Sequence, residues 1–146
     1  MGEGFVIRRF EMRDTEQVVS LWQRCRLVVP WNSPIRDIER KLAEQPEGFL
    51  VGEMDGKIVA TVMAGYDGHR GWVNYLAVAP ELQRRGLGGE MMAEAERRLE
   101  ALGCPKVQLQ VRNDNAQAIA FYRRLGYTED AVVSMGKRIV RDDRAK

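Results

Sequence analysis

Residues 83–89 read Gln-Arg-Arg-Gly-Leu-Gly-Gly. Gly86, Gly88 and Gly89 leave no side chain over the backbone, so successive N–H groups can point at one anion. A long amphipathic pattern follows, and the start of a helix adds the positive end of its dipole. Together these features make a phosphate cradle built mostly of backbone, with Arg84 and Arg85 beside it to pair with phosphate oxygens. Such a cradle holds a pyrophosphate without a metal. A tight strand-to-helix turn uses glycines in the same way, so the loop by itself leaves both readings open. It is not a P-loop, because no Gly-Lys-Ser/Thr follows, and it lacks the Rossmann spacing.

Other reactive side chains are few. Cys25 falls on an apolar helical face and Cys104 just past a helix end, both placements of structural thiols. The N-terminal residues lack the basic-then-apolar order of a signal peptide, so a disulfide framework is not expected. The lone histidine, His69, and scattered carboxylates form no ligand cluster, and no metal is expected. A chain of 146 residues with 45% hydrophobic content fits a single domain over 1–146. Its net charge of +2, with both signs interspersed, argues against a nucleic-acid surface. No apolar run reaches membrane length, and a cytoplasmic protein is expected.

These residues need elements to hold them. A first strand covers 5–10, and Asp14-Thr15-Glu16-Gln17 has the form of a capping box that starts a helix with Val18, Leu21, Trp22 and Cys25 on one face. An apolar loop with Pro30 and Trp31 either covers the core or meets a ligand. Ser33-Pro34 caps a second helix with Ile35, Ile38 and Leu42 inward. Strands at 49–54 and 57–66 flank an Asp55-Gly56 hairpin turn, and the turn 67–70 leads to a further strand that ends at the glycine loop. The long helix carries Met91, Met92, Ala95, Leu99 and Leu102 on one side, and Gly103 and Pro105 end it. A half-buried strand at 107–111 precedes a helix whose inner stripe is Ala118, Phe121, Tyr122 and Leu125. The pattern ends with a strand at 131–139 and a solvated tail over about 140–146.

Two segments carry a resemblance. Gln-Arg-Arg-Gly-Leu-Gly-Gly at 83–89, followed by Asn-x-x-Ala-x-x-Phe-Tyr-x-x-x-Gly-Tyr at 115–127, resembles the signature of the GNAT family of acetyl-CoA-dependent N-acetyltransferases. The likeness extends to ribosomal-protein N-terminal acetyltransferases and small bacterial relatives. It implies an α/β fold with a central mixed, mostly antiparallel twisted sheet of six to seven strands and about four flanking helices. It implies that the backbone of Leu76, Ala77 and Val78 pairs with the pantetheine arm of acetyl-CoA, the acetyl donor. Arg84, Arg85, Gly86, Leu87, Gly88 and Gly89 then match the pyrophosphate loop, Asn115 the contact near the thiol, and Tyr122 the general acid. A phenol is a credible proton donor to a departing thiolate of similar basicity.

The resemblance breaks at the base. Relatives place a glutamate on the fifth strand where this chain has Gln110, which cannot accept a proton usefully. Asp67 and His69 in the turn at 67–70 are the candidate replacements, with Glu53 more distant; a water chain or backbone carbonyl, or an acceptor that arrives already neutral, needs no side chain. Trp31, Asp67, His69 and Trp72 are candidates to line the acceptor pocket, the tryptophans by cation–π contact with an amine. The acceptor is a small-molecule amine, a peptide N-terminus or a lysine. The competing reading is a non-catalytic acetyl-CoA binder or sensor, and a homodimer is compatible with either.

Overall fold

The computed structural model describes residues 4–142. In chain order the elements are β1 (Phe5–Arg9), α1 (Thr15–Arg24), α2 (Pro34–Ala43), β2 (Phe49–Met54), β3 (Lys57–Tyr66), β4 (Gly71–Val78), α3 (Leu87–Ala101), β5 (Val107–Gln108) and α4 (Ala116–Arg124). The five strands form one open sheet in the order β1-β2-β3-β4-β5. All neighbours are antiparallel except β4 and β5, which run parallel.

Local chemistry accounts for most of these elements. Asp55 at φ 52° and Gly56 at φ 78° make the left-handed pair that a two-residue hairpin turn requires. The Ser33 hydroxyl accepts from the Arg36 amide at 3.2 Å, and Pro34 sits in the first turn of α2. β3 is buried on both faces, in keeping with a run that is apolar almost throughout. On one face α1 and α2 pack Val18, Leu21, Trp22 and Ile38 against Phe49 and Val51. On the other, α3 packs Met91, Met92, Ala95 and Leu99 against Val62 and Val73. Among the described residues no helix is long and apolar enough to cross a membrane.

Several expectations are corrected. The capping box is Glu11 with Asp14, around a short 3-10 turn at Met12–Asp14. Gln17 instead accepts from the Ile58 amide at 2.9 Å, tying α1 to β3. Ile35, Leu102 and Leu125 are exposed, because they lie at helix ends where the inner stripe has rotated off the core. The sheet has five strands rather than six to seven, and β5 stops at Gln108 instead of 111. Residues 131–139 hold no strand, since a strand needs a partner's ladder and no backbone among the described residues pairs with them. The expected tail is anchored at Asp142, whose side chain is 1% exposed and bonded to Arg40. Residues 143–146 of that tail lie outside the described residues.

Candidate acetyl-donor cleft

The cleft begins with a fault in the sheet. Register jumps from Met63 opposite Asn74 to Thr61 opposite Ala77, so β4 carries an extra residue at Tyr75–Leu76. Tyr75 sits at φ 55°, a left-handed conformation that the surroundings must hold in place. Thr61 does so by donating to the Tyr75 carbonyl at 2.8 Å while accepting from Trp22 Nε1 at 2.9 Å. The Tyr75 ring stacks on Trp22 at 3.8 Å, and its hydroxyl donates to Asp37 at 2.7 Å. The sequence patterns did not single out Thr61, Tyr75 or Asp37. Their partners lie 14 to 39 residues away, beyond any local signal.

β4 and β5 pair at Gly71–Val107 and Trp72–Gln108 and then part. Gly71 closes that end, because a Cβ there would stand 2.7 Å from Cys104 Sγ. From Val73 on, the β4 edge has no strand beside it among the described residues. Leu76 and Val78 lie on the α3 side of the sheet and Ala77 faces α1. An open strand edge of this kind can receive an extended chain through backbone hydrogen bonds.

Past the end of β4, Gly86 at φ 85° caps α3. Among the described residues the first amide after Gln83 with a backbone acceptor is that of Glu90, which donates to the Gly86 carbonyl at 3.1 Å. The amides of residues 84–89 therefore remain available at a helix N-terminus, as an anion requires. A Cβ on Gly86 would meet nothing within 4 Å, so the space over the turn is open. Arg84 and Arg85 are exposed and have no acidic partner among the described residues. Available amides, open space and two uncommitted guanidiniums fit a pyrophosphate. No acidic or histidine cluster suited to a metal occurs among the described residues.

Gly88 also has a packing role. A Cβ there would lie 3.1 Å from Phe121, so the missing side chain admits α4 while the amide stays among those at the turn. That contact joins the two motif segments and brings Tyr122 into the same cluster as Leu76 and Val78. Burial pushes the Tyr122 phenol up to about 12, and its hydroxyl has no hydrogen-bond partner among the described residues. Asn115 caps α4, its Oδ1 accepting from the Ala118 amide at 3.0 Å.

The other candidates are scattered. Asp67 Oδ1 accepts from the amides of Arg70 at 2.7 Å and His69 at 2.8 Å, which hold its carboxyl below the usual range. Asp67 is thus a turn-former of lowered basicity. His69 is exposed in the same turn, which Trp72 adjoins at the closed end of the cleft. Glu53 is paired with Arg8 at 2.9 Å. Gln110 donates to Ser134, and Trp31 stands half-exposed in the α1–α2 loop. A cavity of about 520 Å³ lies between α3, β5 and the end of α4, away from the glycine turn.

The family described as Acetyltransferase (GNAT) matches residues 15–127 of this chain. Solved structures agree. Ard1 from Thermoplasma volcanium is 27% identical with a TM-score of 0.78, covering 88% of this chain and 86% of its own. The ribosomal-protein-S18-alanine N-acetyltransferase from Escherichia coli is 26% identical with a TM-score of 0.71, covering 87% of this chain and 79% of its own. Naa20 from Chaetomium thermophilum, solved with a bisubstrate analogue, is 27% identical with a TM-score of 0.69 and covers 84% of this chain and 70% of its own.

Proposed function

We propose, from the premise that this chain belongs to the Acetyltransferase (GNAT) family, that it transfers an acetyl group from acetyl-CoA to a primary amine by direct attack in a ternary complex. The donor brings an activated thioester. What supports the reading is the contact of Gly88 with Phe121, the neighbour of Tyr122, together with the packing of Tyr122, Leu76 and Val78 on one core cluster.

Each part of the cleft then has a task. The amides of residues 84–89, with Arg84 and Arg85, take the pyrophosphate. The unpaired edge at Leu76, Ala77 and Val78 takes the pantetheine arm as an extra strand would be taken. The bulge at Tyr75 turns backbone donors toward the reacting carbonyl, where a preorganised dipole is most effective. Tyr122, held neutral by burial, keeps its proton until the thiolate departs. Asn115 stands at the head of the same helix, near the thiol end. With Gln110 unable to act as base and Asp67 committed to its turn, His69 or a water takes the amine proton.

A peptide N-terminus is one acceptor to test, since the Escherichia coli relative is named for the S18 alanine. Calorimetric titration with acetyl-CoA, followed by thiol release over small amines, lysine peptides and N-terminal peptides, tests the reading. Binding with release on an acceptor supports it. Binding without release on any acceptor favours the second reading, a non-catalytic acetyl-CoA binder, to which Gln110 already points.

A further inference from the structure

We propose that Asp37, in the first turn of α2, is a positioning residue for acetyl transfer: through the phenol of Tyr75 it fixes the peptide unit whose amide faces the thioester carbonyl. The inference rests on the acetyl-transfer reading above. It extends that reading to α2, which packs on the opposite face of the sheet from α3 and α4.

Among the described residues Tyr75 is the one non-glycine residue inside a strand with a positive φ; Arg26, Gln45, Asp55 and Arg84, which share that sign, lie outside the strands and helices. A bulky side chain keeps such a conformation only where its surroundings over-determine it. Thr61 holds the Tyr75 carbonyl, Trp22 stacks on the ring, and Asp37 Oδ2 accepts from the hydroxyl at 2.7 Å. The peptide that follows is trans, so its C=O and N–H point opposite ways. With the C=O drawn to Thr61 of β3, the Leu76 N–H is turned away from β3, toward the edge of β4 that no strand covers among the described residues. That amide is the donor offered to a carbonyl lying on the open edge.

Thr61 and Trp22 belong to the buried core, whereas Asp37 reaches Tyr75 from the half-buried start of α2. Its Oδ1 accepts from Arg40 Nη1 at 3.0 Å, and Arg40 Nη2 donates to Asp142 at 2.6 Å. The carboxylate is thus held at both oxygens and keeps its face to the phenol. An ionised acceptor binds a hydroxyl more strongly than a neutral one, which suits it to hold a strained residue. Without it the ring stays stacked on Trp22 but can tilt, and the tilt passes through Cα to the direction of the Leu76 amide.

The test is the infrared band of the thioester carbonyl in acetyl-CoA, isotope-labelled at that carbon and compared free and bound. Single-turnover transfer and calorimetric affinity for CoA are read on the same preparations. A hydrogen bond from the Leu76 amide lowers the frequency of the bound carbonyl, and the band is readable whether or not an acceptor has been found. Asp37→Ala should return it most of the way to the free position and slow transfer about tenfold, less than the roughly 10²–10³ of a donor lost outright. CoA carries no acetyl carbonyl and should bind within about twofold of the parent affinity. Asp37→Asn keeps an oxygen for the phenol and should retain most of the band shift. Tyr75→Phe keeps the stack on Trp22 and should match Asp37→Ala, and the two combined should be no worse than either, as for groups acting as one unit. A parent chain that does not bind acetyl-CoA overturns the acetyl-transfer reading and this inference with it. Binding with the same carbonyl band in the parent chain, Asp37→Ala and Tyr75→Phe overturns this inference alone, as does an Asp37→Asn variant as impaired as Asp37→Ala.

Discussion

The Thr61 hydroxyl donates to the carbonyl oxygen of Tyr75 at 2.8 Å, at the point where β3 and β4 fall out of register. The Thr61 hydroxyl oxygen in turn accepts from Trp22 Nε1, so one buried side chain ties α1 to the bulge. The fault in β4 is thus held by the core beneath it.

Thr61→Val keeps the shape and removes both bonds. A buried indole N–H and a bulge carbonyl then lose their partner, at a cost of about 1–3 kcal/mol. Denaturant unfolding should show that loss, and the Michaelis constant for acetyl-CoA should rise as the bulge relaxes. An unchanged Michaelis constant would detach the bulge from donor binding.

The glycines of the turn should separate in their effects. Gly86→Ala forces a side chain into a left-handed conformation, which costs about 1–2 kcal/mol, and intrudes on the open space over the amides. Calorimetry should find acetyl-CoA bound about tenfold more weakly, or ~1.4 kcal/mol. Gly88→Ala instead presses on Phe121 at 3.1 Å and displaces α4, so turnover should fall more than affinity. Equal effects from both substitutions would contradict the separate roles.

How much of this was legible from residues alone follows from the range of each interaction. The hairpin turn at Asp55-Gly56 and the Ser33 cap are local, and spacing identified both. The motif segments at 83–89 and 115–127 could be read, but their contact through Gly88 and Phe121 is a tertiary fact that gives one glycine a packing role its spacing did not show. The Thr61–Tyr75 and Asp37–Tyr75 bonds had no sequence signal, since each depends on strands and helices meeting. The strand expected at 131–139 shows the converse limit. Propensity is local, but pairing needs a second edge.

Acid should release the C-terminal anchor. Arg40 and the Ser33 amide push the Asp142 carboxyl down to about 2, against about 3.9 for a free aspartate. A depressed carboxyl contributes its full stability above the unfolded value and loses it as pH falls through the folded one. The anchor should hold above about pH 4 and fail toward pH 2. Asp142→Asn should lower the melting midpoint at pH 7 and remove that part of the acid dependence. A melting curve unaltered at either pH would show that the tie is not needed.

Tyr122 should also leave its mark on the pH profile of turnover. With its phenol raised to about 12 by burial, it keeps its proton throughout the usual assay range. The rate should climb as the acceptor amine deprotonates and show no descending limb below about pH 10. A descending limb near neutral pH would point to another acid.

The most direct measurement is Tyr122→Phe, with acetyl-CoA affinity and single-turnover acetyl transfer followed on the same preparation. The phenol touches no hydrogen-bond partner among the described residues, so the substitution should leave folding and donor affinity essentially unchanged. Turnover should fall by about 10²–10⁴, the usual contribution of a positioned general acid. Transfer at the parent rate with intact binding would contradict the account, since the cleft would then hold the donor without using the residue its helices bring there.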